Sequence, residues 1–456
     1  MNPHIFRRYD IRGLVGRDLT ESLAKQIGQA VATQMRAQGR KKLVVGRDGR
    51  LSSPALSQAL VEGALSAGVT VIDLGEVTTP MVYFAAKTLE GANSCVVVTG
   101  SHNPPDYNGI KIVIDDVTLW GDAIQAIRKR IEQQAFEQGR GEYRKLDIMS
   151  SYRQAVVSRI RLMRPLKVVV DCGNGISGAS APDLLKALGC EVIELFCDVD
   201  GHFPNHHPDP AQPKNLQDLI QAVKAHDADI GLAFDGDGDR CGVVDDQGRI
   251  LYADRQLMLL ARDVLRKQPG ANIVFDIKCS ALLAKDIKRH GGRPIMWKTG
   301  HSLMKAKMQD SGAALGGELS GHIFFAHNWF GFDDGLYAAA RLLQILAAQS
   351  KPSHVLFGEL PDAYSTPELE VHCAEGQPQA FMQRFAEQAK FDDATLFTLD
   401  GVRTDFVDGW GLIRASNTAP NLVMRFEGET PQALERIKAQ FRKQILAVDP
   451  SLNLPF

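Results

Sequence analysis

A repeated strand–helix–strand pattern limits the fold of this chain more than any other feature of its sequence. The three copies pair Leu43–Arg50 with Val69–Leu74, Lys167–Gly175 with Cys190–Leu195, and Asn272–Lys278 with Arg293–Trp297. In each copy an apolar strand leads into a polar loop, a helical pattern, a glycine and a second strand. Alternation of this kind is typical of α/β domains. The sequence therefore predicts three similar mixed-sheet α/β/α domains.

A further apolar strand follows each copy and ends in an unusual polar loop. These loops are Thr99–Pro104, Asp235–Arg240 and Gly317–His322. Ligands of open α/β sheets bind beyond the ends of the strands. Because the loops occupy equivalent places in three repeated units, we expect them to converge on one cleft.

The last part of the chain departs from the repeat. From about Thr366 the pattern alternates short strands with helices predicted over Pro378–Lys390 and Pro431–Ala447, which indicates a smaller α+β domain. Linkers are predicted at Leu146–Tyr152 and Pro352–Thr366. The expected domains are residues 1–147, 148–249, 250–362 and 363–456. The first three hold, in order, the serine loop (Thr99–Pro104), the aspartate loop (Asp235–Arg240) and the third polar loop (Gly317–His322). The last domain holds a fourth loop, described below.

Charge and cysteine content narrow the class of protein. The 456 residues carry a formal net charge of −2, which gives no support for a nucleic-acid or membrane-surface partner. Seven scattered cysteines without a C-x-x-C pair fit a reducing compartment. With neither a signal-peptide pattern nor an apolar run of about 20 residues, the expectation is a cytoplasmic enzyme or binding protein.

The loop Asp235–Arg240 has a carboxylate at every second position. Asp235, Asp237 and Asp239 are separated by glycines, so the loop can fold three oxygen ligands around one hard cation. A calcium EF-hand would need glycine and glutamate where Arg240 and Asp246 stand. An acidic turn and an aspartyl-phosphate enzyme with Asp235 as nucleophile remain open alternatives. Arg240, directly after the carboxylates, indicates a phosphate close to the metal.

The loop Thr99–Pro104 offers a hydroxyl at the end of a strand. Gly100 and Pro104 allow a sharp turn that exposes Ser101 as a phosphoryl acceptor, although the same string is also a good turn sequence. His102 could orient the phosphate. Lys111 follows on the next strand and could exchange a proton with the reacting oxygen.

Two more loops offer groups that bind sugars and phosphates. In the third loop Glu318 and Ser320 suit sugar hydroxyls, and His322 can carry a proton near neutral pH. In the tail, Arg414–Pro420 supplies donors for a phosphate through Arg414, Ser416, Asn417 and Thr418. The basic string Arg7–Gly13 could reach the same cleft.

Two other strings are interpreted as structural. Asn205–Pro210 contains two histidines but lacks the spacing of a metal site, and Trp329–Asp334 ends in aspartates that we interpret as caps of the following helix. No G-x-x-x-x-G-K-[ST] loop occurs, so a kinase of that type is unsupported.

Taken together and in this order, the motifs resemble the α-D-phosphohexomutase superfamily, in particular its bacterial phosphomannomutase/phosphoglucomutase branch. The resemblance spans the chain through Phe6–Gly13, Thr99–Pro104, Asp235–Arg240, Lys298–His301, Gly317–His322 and Arg414–Pro420. It implies a heart-shaped, four-domain monomer with a central cleft and the smaller domain last.

The resemblance also implies roles for residues of this sequence. Ser101 would be a phosphoserine whose oxygen completes a Mg²⁺ site with Asp235, Asp237 and Asp239. His102, Lys111, Arg240 and His322 would be catalytic, with Lys111 and His322 sharing the acid and base roles. The implied substrate-binding residues are Tyr9, Arg12, Lys278, Thr299, Gly300, His301, Glu318, Ser320, Arg414, Ser416, Asn417 and Thr418.

The implied reaction interconverts hexose 6-phosphates and hexose 1-phosphates of mannose and glucose through a hexose 1,6-bisphosphate. Glucose 1,6-bisphosphate or mannose 1,6-bisphosphate would act as activator, and the products would feed nucleotide-sugar and polysaccharide synthesis. A metal-dependent sugar phosphatase, a phosphoglucosamine mutase and a non-enzymatic sugar-phosphate binder remain alternatives.

Overall fold

The computed structural model describes residues 1–374, 376–416 and 420–456. These residues form four sheets in sequence order, three of them mixed and the last antiparallel. This arrangement confirms the predicted fold class of three α/β domains followed by an α+β domain.

The first sheet has the strand order β1-β5-β4-β2-β3-β7, and β6 pairs with β5. Its elements are β1 (Ile11–Leu14), α1 (Glu21–Ala37), β2 (Lys42–Arg47), α2 (Ser53–Ser66), β3 (Thr70–Glu76), α3 (Thr79–Thr88), β4 (Cys95–Val98), β5 (Tyr107–Ile114), β6 (Val117–Thr118), α4 (Asp122–Glu132) and β7 (Tyr143–Lys145). The four residues of β4 are all buried and apolar, as expected for a central strand covered on both faces.

The second sheet has the order β12-β11-β10-β8-β9. Its elements are α5 (Met149–Val157), β8 (Lys167–Asp171), α6 (Ala181–Ala187), β9 (Glu191–Leu195), α7 (Gln217–Ala225), β10 (Ile230–Phe234), β11 (Cys241–Asp245) and β12 (Ile250–Leu251), with short 3₁₀ turns at Ile176–Ala179 and Pro213–Leu216. The aspartate loop joins β10 to its antiparallel neighbour β11, so the loop is the turn of a hairpin.

The third sheet has the order β14-β13-β15-β16. Its elements are α8 (Ala253–Lys267), β13 (Asn272–Asp276), α9 (Ala281–Arg289), β14 (Arg293–Trp297), α10 (His301–Ser311), β15 (Leu315–Gly317), β16 (Ile323–Phe325), α11 (Gly335–Ala347) and α12 (Ser353–Gly358). The third polar loop is the turn between β15 and β16, which matches the place of the aspartate loop in the second domain.

The fourth sheet has the order β17-β22-β21-β20-β19, and β18 also pairs with β22. Its elements are β17 (Tyr364–Ser365), β18 (Leu369–His372), α13 (Gln377–Gln388), β19 (Thr395–Phe397), β20 (Val402–Phe406), β21 (Gly409–Ala415), β22 (Asn421–Gly428) and α14 (Pro431–Val448). The segments expected to be linkers contain ordered structure, because α5 begins within the first and the second includes α12 and β17.

The string Trp329–Asp334 joins three domains by aromatic packing. Trp329 stacks on Tyr337 at 4.2 Å between ring centroids and also lies against Phe84 of the first domain and Tyr152 of the second. Asp334 caps α11 as predicted, since its carboxylate accepts a hydrogen bond from the Tyr337 amide at 2.9 Å. The same interpretation is wrong for Asp333, which instead forms a buried ion pair with Lys305 at 2.9 Å.

Helix α12 is fastened to the second domain by Asp246. Its carboxylate accepts hydrogen bonds from the Ser353 hydroxyl at 2.7 Å and the His354 amide at 2.7 Å. Burial raises the pKa of this carboxyl, but the bonds from Ser353 and His354 outweigh it and lower the pKa to about 2. Because folding lowers this pKa, the ionised carboxylate stabilises the fold at pH values above about 4, and this stabilisation is lost as the pH falls toward 2.

We therefore expect Asp246→Asn to destabilise the protein by about 1 kcal/mol at pH 7, a value reduced for solvent screening. The difference in stability between Asp246→Asn and the unchanged protein should be smaller at pH 3. Thermal unfolding at the two pH values measures it, with Asp227→Asn on an exposed turn as control. An equal difference at both pH values would contradict the assignment.

Candidate active site

The serine loop places Ser101 at the end of buried strand β4. Ser101 is 2% exposed and adopts a left-handed backbone conformation with φ of 48°. Its hydroxyl donates a hydrogen bond to Asp235 Oδ2 at 3.0 Å. A side chain at Gly100 would lie 2.4 Å from the Arg50 guanidinium, so the loop requires glycine there. The predicted serine and aspartate loops are therefore in direct contact.

The three aspartates of the second loop are fully buried and close together. Asp235, Asp237 and Asp239 each offer a carboxylate oxygen, and these oxygens lie within 4.8 Å of one another. The Lys111 ammonium donates to Asp237 at 2.7 Å and to Asp239 at 2.6 Å. Burial raises the pKa of Asp235 well above its usual range, and the charges of Asp239 and Asp237 raise it further.

This cluster fits a hard divalent cation. Asp237 Oδ1 is buried without a hydrogen-bond partner among the described residues, and such an atom is costly unless a ligand satisfies it. The Lys111 ammonium binds Oδ2 of Asp237 and therefore does not satisfy Oδ1. Carboxylate oxygens are the ligands that Mg²⁺ and Ca²⁺ prefer. Asp235, Asp237 and Asp239, with the Ser101 oxygen beside them, could therefore hold one metal ion.

Asp235 is poorly arranged to be a nucleophile. Its Oδ1 accepts hydrogen bonds from the amides of Gly238 at 3.1 Å and Arg240 at 3.2 Å, and its Oδ2 accepts the one from Ser101. Both oxygens are therefore engaged in holding the two loops. The geometry does not support the aspartyl-phosphate alternative.

Arg240 and two histidines surround the aspartate cluster. The Arg240 guanidinium donates to His102 Nδ1 at 2.8 Å. Burial, followed by the charge of Arg240, keeps the pKa of His102 well below its usual range, so a neutral ring accepts this bond. His322 Nε2 lies 3.3 Å from Asp239 Oδ1, and its Nδ1 lies 3.1 Å from Glu318. Burial lowers the pKa of His322, but Asp239 and Glu318 outweigh it and raise the pKa to about 9.

The loop Thr299–His301 connects these groups to the N-terminal string. The Gly300 amide donates to Glu318 at 2.6 Å, and the Tyr9 hydroxyl donates to the Thr299 carbonyl at 2.6 Å. Gly300 has φ of 129°, and a Cβ there would lie 2.5 Å from the Tyr9 ring. The close approach of Tyr9 therefore depends on this glycine. His301, at the start of α10, lies 3.6 Å from Asp333.

The fourth domain reaches the same loop through Asp400. Its carboxylate accepts a hydrogen bond from the Thr299 amide at 3.1 Å and pairs with Arg414 at 3.2 Å. Lys278 pairs with Glu368 of the fourth domain at 3.0 Å. An unbroken set of contacts thus runs from Arg414 to the aspartate loop, and Ser416 follows at the end of β21. Asn417 and Thr418 lie outside the described residues.

The remaining expected residues also line this region. Arg12 on β1 is buried, pairs with Asp10 and donates to the Asn103 side chain in the serine loop. Ser320 contacts His322 Nδ1 at 2.9 Å through its hydroxyl. The structure therefore brings together the described residues that the sequence predicted.

Sequence reasoning missed several residues that hold the loops together. The Thr79 hydroxyl donates to Asp237 at 2.6 Å, His207 contacts the His102 carbonyl, and Asp209 lies 3.8 Å from Arg240. His207 and Asp209 belong to Asn205–Pro210, so this string contacts residues of the site. The missed residues are Asp48, Arg50, Thr79, His207, Asp209, Asp333, Glu368 and Asp400.

None of the helices in the described parts of the chain is both long and apolar enough to cross a lipid bilayer.

Four successive family models match the chain. They are the phosphoglucomutase/phosphomannomutase alpha/beta/alpha domains I, II and III at residues 3–138, 149–248 and 252–364, and the C-terminal domain at residues 368–444.

Individual relatives agree with these models. The chain is 53% identical over 452 residues to the phosphomannomutase/phosphoglucomutase of Pseudomonas aeruginosa, covering 99% of this chain and 97% of the relative. It is 52% identical over 455 residues to a phosphoglucomutase of Neisseria meningitidis, covering 99% and 98%. A crystal structure of a phosphoglucomutase/phosphomannomutase family protein from Burkholderia thailandensis matches with a TM-score of 0.95, at 52% identity and 99% coverage of both chains.

The fold, the site and these matches define an α-D-phosphohexomutase, an isomerase that acts by phosphoryl transfer. Within that superfamily, the chain belongs to the bacterial phosphomannomutase/phosphoglucomutase family. It is a hexose phosphate mutase, and the phosphatase alternative is not favoured.

Proposed function

We propose that Ser101 carries the phosphoryl group in the interconversion of the 1- and 6-phosphates of glucose and mannose through a hexose 1,6-bisphosphate. One observation supports this proposal most directly: the Ser101 hydroxyl lies 3.0 Å from Asp235, beside carboxylate oxygens that fit a cation. The names of relatives from Pseudomonas and Neisseria support both sugars as substrates.

We propose Mg²⁺ as the metal of the cluster formed by Asp235, Asp237, Asp239 and the oxygen of phosphorylated Ser101. When bound, Mg²⁺ would neutralise charge on the transferring phosphoryl group and orient it. The protein's own cation for the same purpose is Arg240, which already lies 3.7 Å from Asp235 and 2.8 Å from His102. A neutral His102 holds Arg240 without adding charge repulsion.

Proton transfer accompanies each movement of the phosphoryl group. Lys111 and His322 both lie against Asp239, on β5 and on the β15–β16 turn respectively. We propose that these two side chains exchange protons with Ser101 and with the sugar hydroxyl. Glu318 and Ser320, which hold the His322 ring, would also bind sugar hydroxyls.

The second phosphate of the substrate needs a site away from the metal. We propose that Arg414 and Ser416 bind it, together with Asn417 and Thr418, while Tyr9, Arg12, Lys278 and the loop Thr299–His301 bind the sugar. In the described structure Arg414 faces the carboxylate of Asp400 and Lys278 faces Glu368. The bisphosphate would then turn over between the metal-side position and this remote position, and glucose or mannose 1,6-bisphosphate would rephosphorylate Ser101.

We further propose a monomer that works in the cytoplasm. The seven cysteines are free thiols, which suits a reducing compartment. Size-exclusion chromatography with light scattering tests the monomer.

Kinetics and mass spectrometry test the main proposal together. We expect turnover of both glucose 1-phosphate and mannose 1-phosphate with Mg²⁺ and a trace of the bisphosphate, and an acid-stable phosphate on the Ser101 peptide. An acyl phosphate on Asp235 would contradict the mechanism. Turnover of glucosamine 1-phosphate in preference to both sugars would favour the phosphoglucosamine mutase instead.

Replacement of Arg414 tests the remote phosphate site. Arg414→Ala removes a charge-assisted bond worth about 1.5–3 kcal/mol, so we expect KM for hexose 1-phosphate to rise about 10- to 100-fold with a smaller change in kcat. Steady-state kinetics measure both constants. Arg384→Ala, at an exposed position on α13, is the control. An unchanged KM in Arg414→Ala would remove this residue from the phosphate site.

A further inference from the structure

Arg50 is a buried arginine. Among the described residues, its guanidinium binds four backbone carbonyls of residues 101–107 and pairs with the carboxylate of Asp48. Its guanidinium NH2 donates to the carbonyls of Ser101 at 2.8 Å and Asn103 at 2.5 Å. NH1 donates to the carbonyls of Pro104 at 2.5 Å and Tyr107 at 2.9 Å. One planar side chain therefore gathers four carbonyls between β4 and β5.

Asp48 binds both the serine loop and Arg50. Its Oδ2 accepts a hydrogen bond from the Gly100 amide at 3.0 Å and lies 3.2 Å from Arg50 Nε. Its Oδ1 accepts one from the Arg50 amide at 3.1 Å. Asp48 thus fixes the residue before Ser101 while it orients the guanidinium that fixes Ser101 itself.

Residues of the second domain pack over Arg50 and its neighbour Leu51. The ring of Phe203 lies over the Arg50 guanidinium at 5.1 Å. A Cβ on Gly201 would be 2.7 Å from the Leu51 amide, so the two backbones are in contact. Arg50 and Ser101 are both 2% exposed, so the buried carbonyl of Ser101 would lose a hydrogen bond without Arg50.

The serine loop needs such support for a physical reason. Ser101 has a positive φ, a conformation that costs free energy for a residue with a side chain and persists only where its surroundings enforce it. In this conformation its hydroxyl reaches Asp235 in the other domain. A displacement of about 1 Å at a reacting atom can lower a rate about 100-fold.

We propose that Arg50, oriented by Asp48, is a positioning residue that holds the Ser101 hydroxyl against the aspartate loop for phosphoryl transfer. The inference rests on the proposed role of Ser101. It adds a residue from the loop after β2 to those that the reaction needs, although the described structure shows no contact of Arg50 with the three aspartates or with the third polar loop.

The chain offers a matched control three residues away in sequence. Arg47 stands at the end of β2 in the same Gly-Arg-Asp-Gly-Arg string, but it pairs with Glu76 at 3.4 Å near the surface. We would compare Arg50→Lys, Arg47→Lys and the unchanged enzyme. Lysine keeps the charge but cannot present the planar fork that serves four carbonyls.

The decisive measurement is a single turnover. Each enzyme is first phosphorylated with glucose 1,6-bisphosphate, its phosphate content is checked by intact mass and peptide mapping, and transfer to glucose 1-phosphate is followed by rapid quench. We expect Arg50→Lys to transfer about 100-fold more slowly, with KM within about threefold of the unchanged enzyme. Arg47→Lys should match the unchanged enzyme in both constants.

The outcomes separate this inference from the proposed function. An unchanged enzyme without phosphate on Ser101 would contradict the proposed function itself. Normal phosphorylation of Ser101 with equal transfer rates in Arg50→Lys and Arg47→Lys would contradict only the positioning role, even if the thermal stability of Arg50→Lys fell. If Arg50→Lys does not fold, Asp48→Asn is tested in the same way, with the same expected loss of rate.

Discussion

Ser101→Ala should abolish mutase activity, with a loss of at least about 10⁴-fold in kcat. The substitution removes the only atom that the proposed mechanism uses to accept the phosphoryl group. It should leave the fold intact, because alanine tolerates the buried site and the backbone contacts of the loop come from Asp48 and Arg50. A coupled assay of glucose 1-phosphate conversion measures the loss, and intact mass should show no phosphate after incubation with the bisphosphate.

The control for this substitution is Ser94→Ala. Ser94 is fully buried next to the other end of β4, where its hydroxyl accepts a hydrogen bond from the Asp115 amide, 3.0 Å away. Loss of that bond can lower stability but should preserve phosphorylation and turnover. If Ser101→Ala kept substantial activity while Ser94→Ala behaved like the unchanged enzyme, another residue would have to carry the phosphoryl group.

The parts of this site that could be predicted from the sequence are those whose functional residues are close together in the sequence. Asp235–Arg240 and Gly317–His322 place several polar side chains within six residues, directly after an apolar strand. Such a string indicates a cluster of side chains even when the fold is unknown, because a hairpin turn at the end of a buried strand presents alternate side chains to the same side. The repeat then indicated that the loops would meet.

The supporting residues could not be predicted because their partners are distant in sequence. Arg50 is more than fifty residues from the carbonyls that it binds, and Asp400 contacts the Thr299 amide from another domain. Nothing in the string Gly46–Arg50 distinguishes Arg50 from Arg47, although one is buried and the other is partly exposed. Only the packing of the loop after β2 against the serine loop, within the first domain, decides which of them binds the carbonyls of that loop.

In the string Trp329–Asp334, the sequence likewise does not distinguish the roles of two adjacent aspartates. Either aspartate could cap α11 by its position in the sequence. The structure assigns the cap to Asp334, whose carboxylate also accepts hydrogen bonds from Tyr152 and Trp329. Asp333 turns toward Lys305 and His301 instead, so it belongs to the side of the active site. The choice depends on side-chain direction, which a local pattern does not contain.

Asp237→Asn should have the second-largest effect, because it removes one charge from the proposed metal site without changing its shape. The Oδ2 of Asp237 accepts hydrogen bonds from Lys111 and Thr79, whereas its Oδ1 is unpartnered among the described residues and is the atom that a cation would use. We expect kcat/KM to fall about 10³-fold, the upper part of the range for loss of one preorganised electrostatic group.

Metal binding gives this prediction a readout that does not depend on activity. A ligand that binds only the folded protein stabilises it by about 2.7 kcal/mol at 100 times its Kd, so Mg²⁺ should raise the melting temperature of the unchanged enzyme and not that of Asp237→Asn. Asp245→Asn is the matched control, since Asp245 is a buried carboxylate at the other end of the same β10–β11 hairpin, where it binds the turn amides of Gln247 and Arg249. A full Mg²⁺ response in Asp237→Asn would show that this carboxylate is not a ligand. Loss of activity with a retained Mg²⁺ response would instead assign Asp237 to holding Lys111, so the two measurements together separate its possible roles.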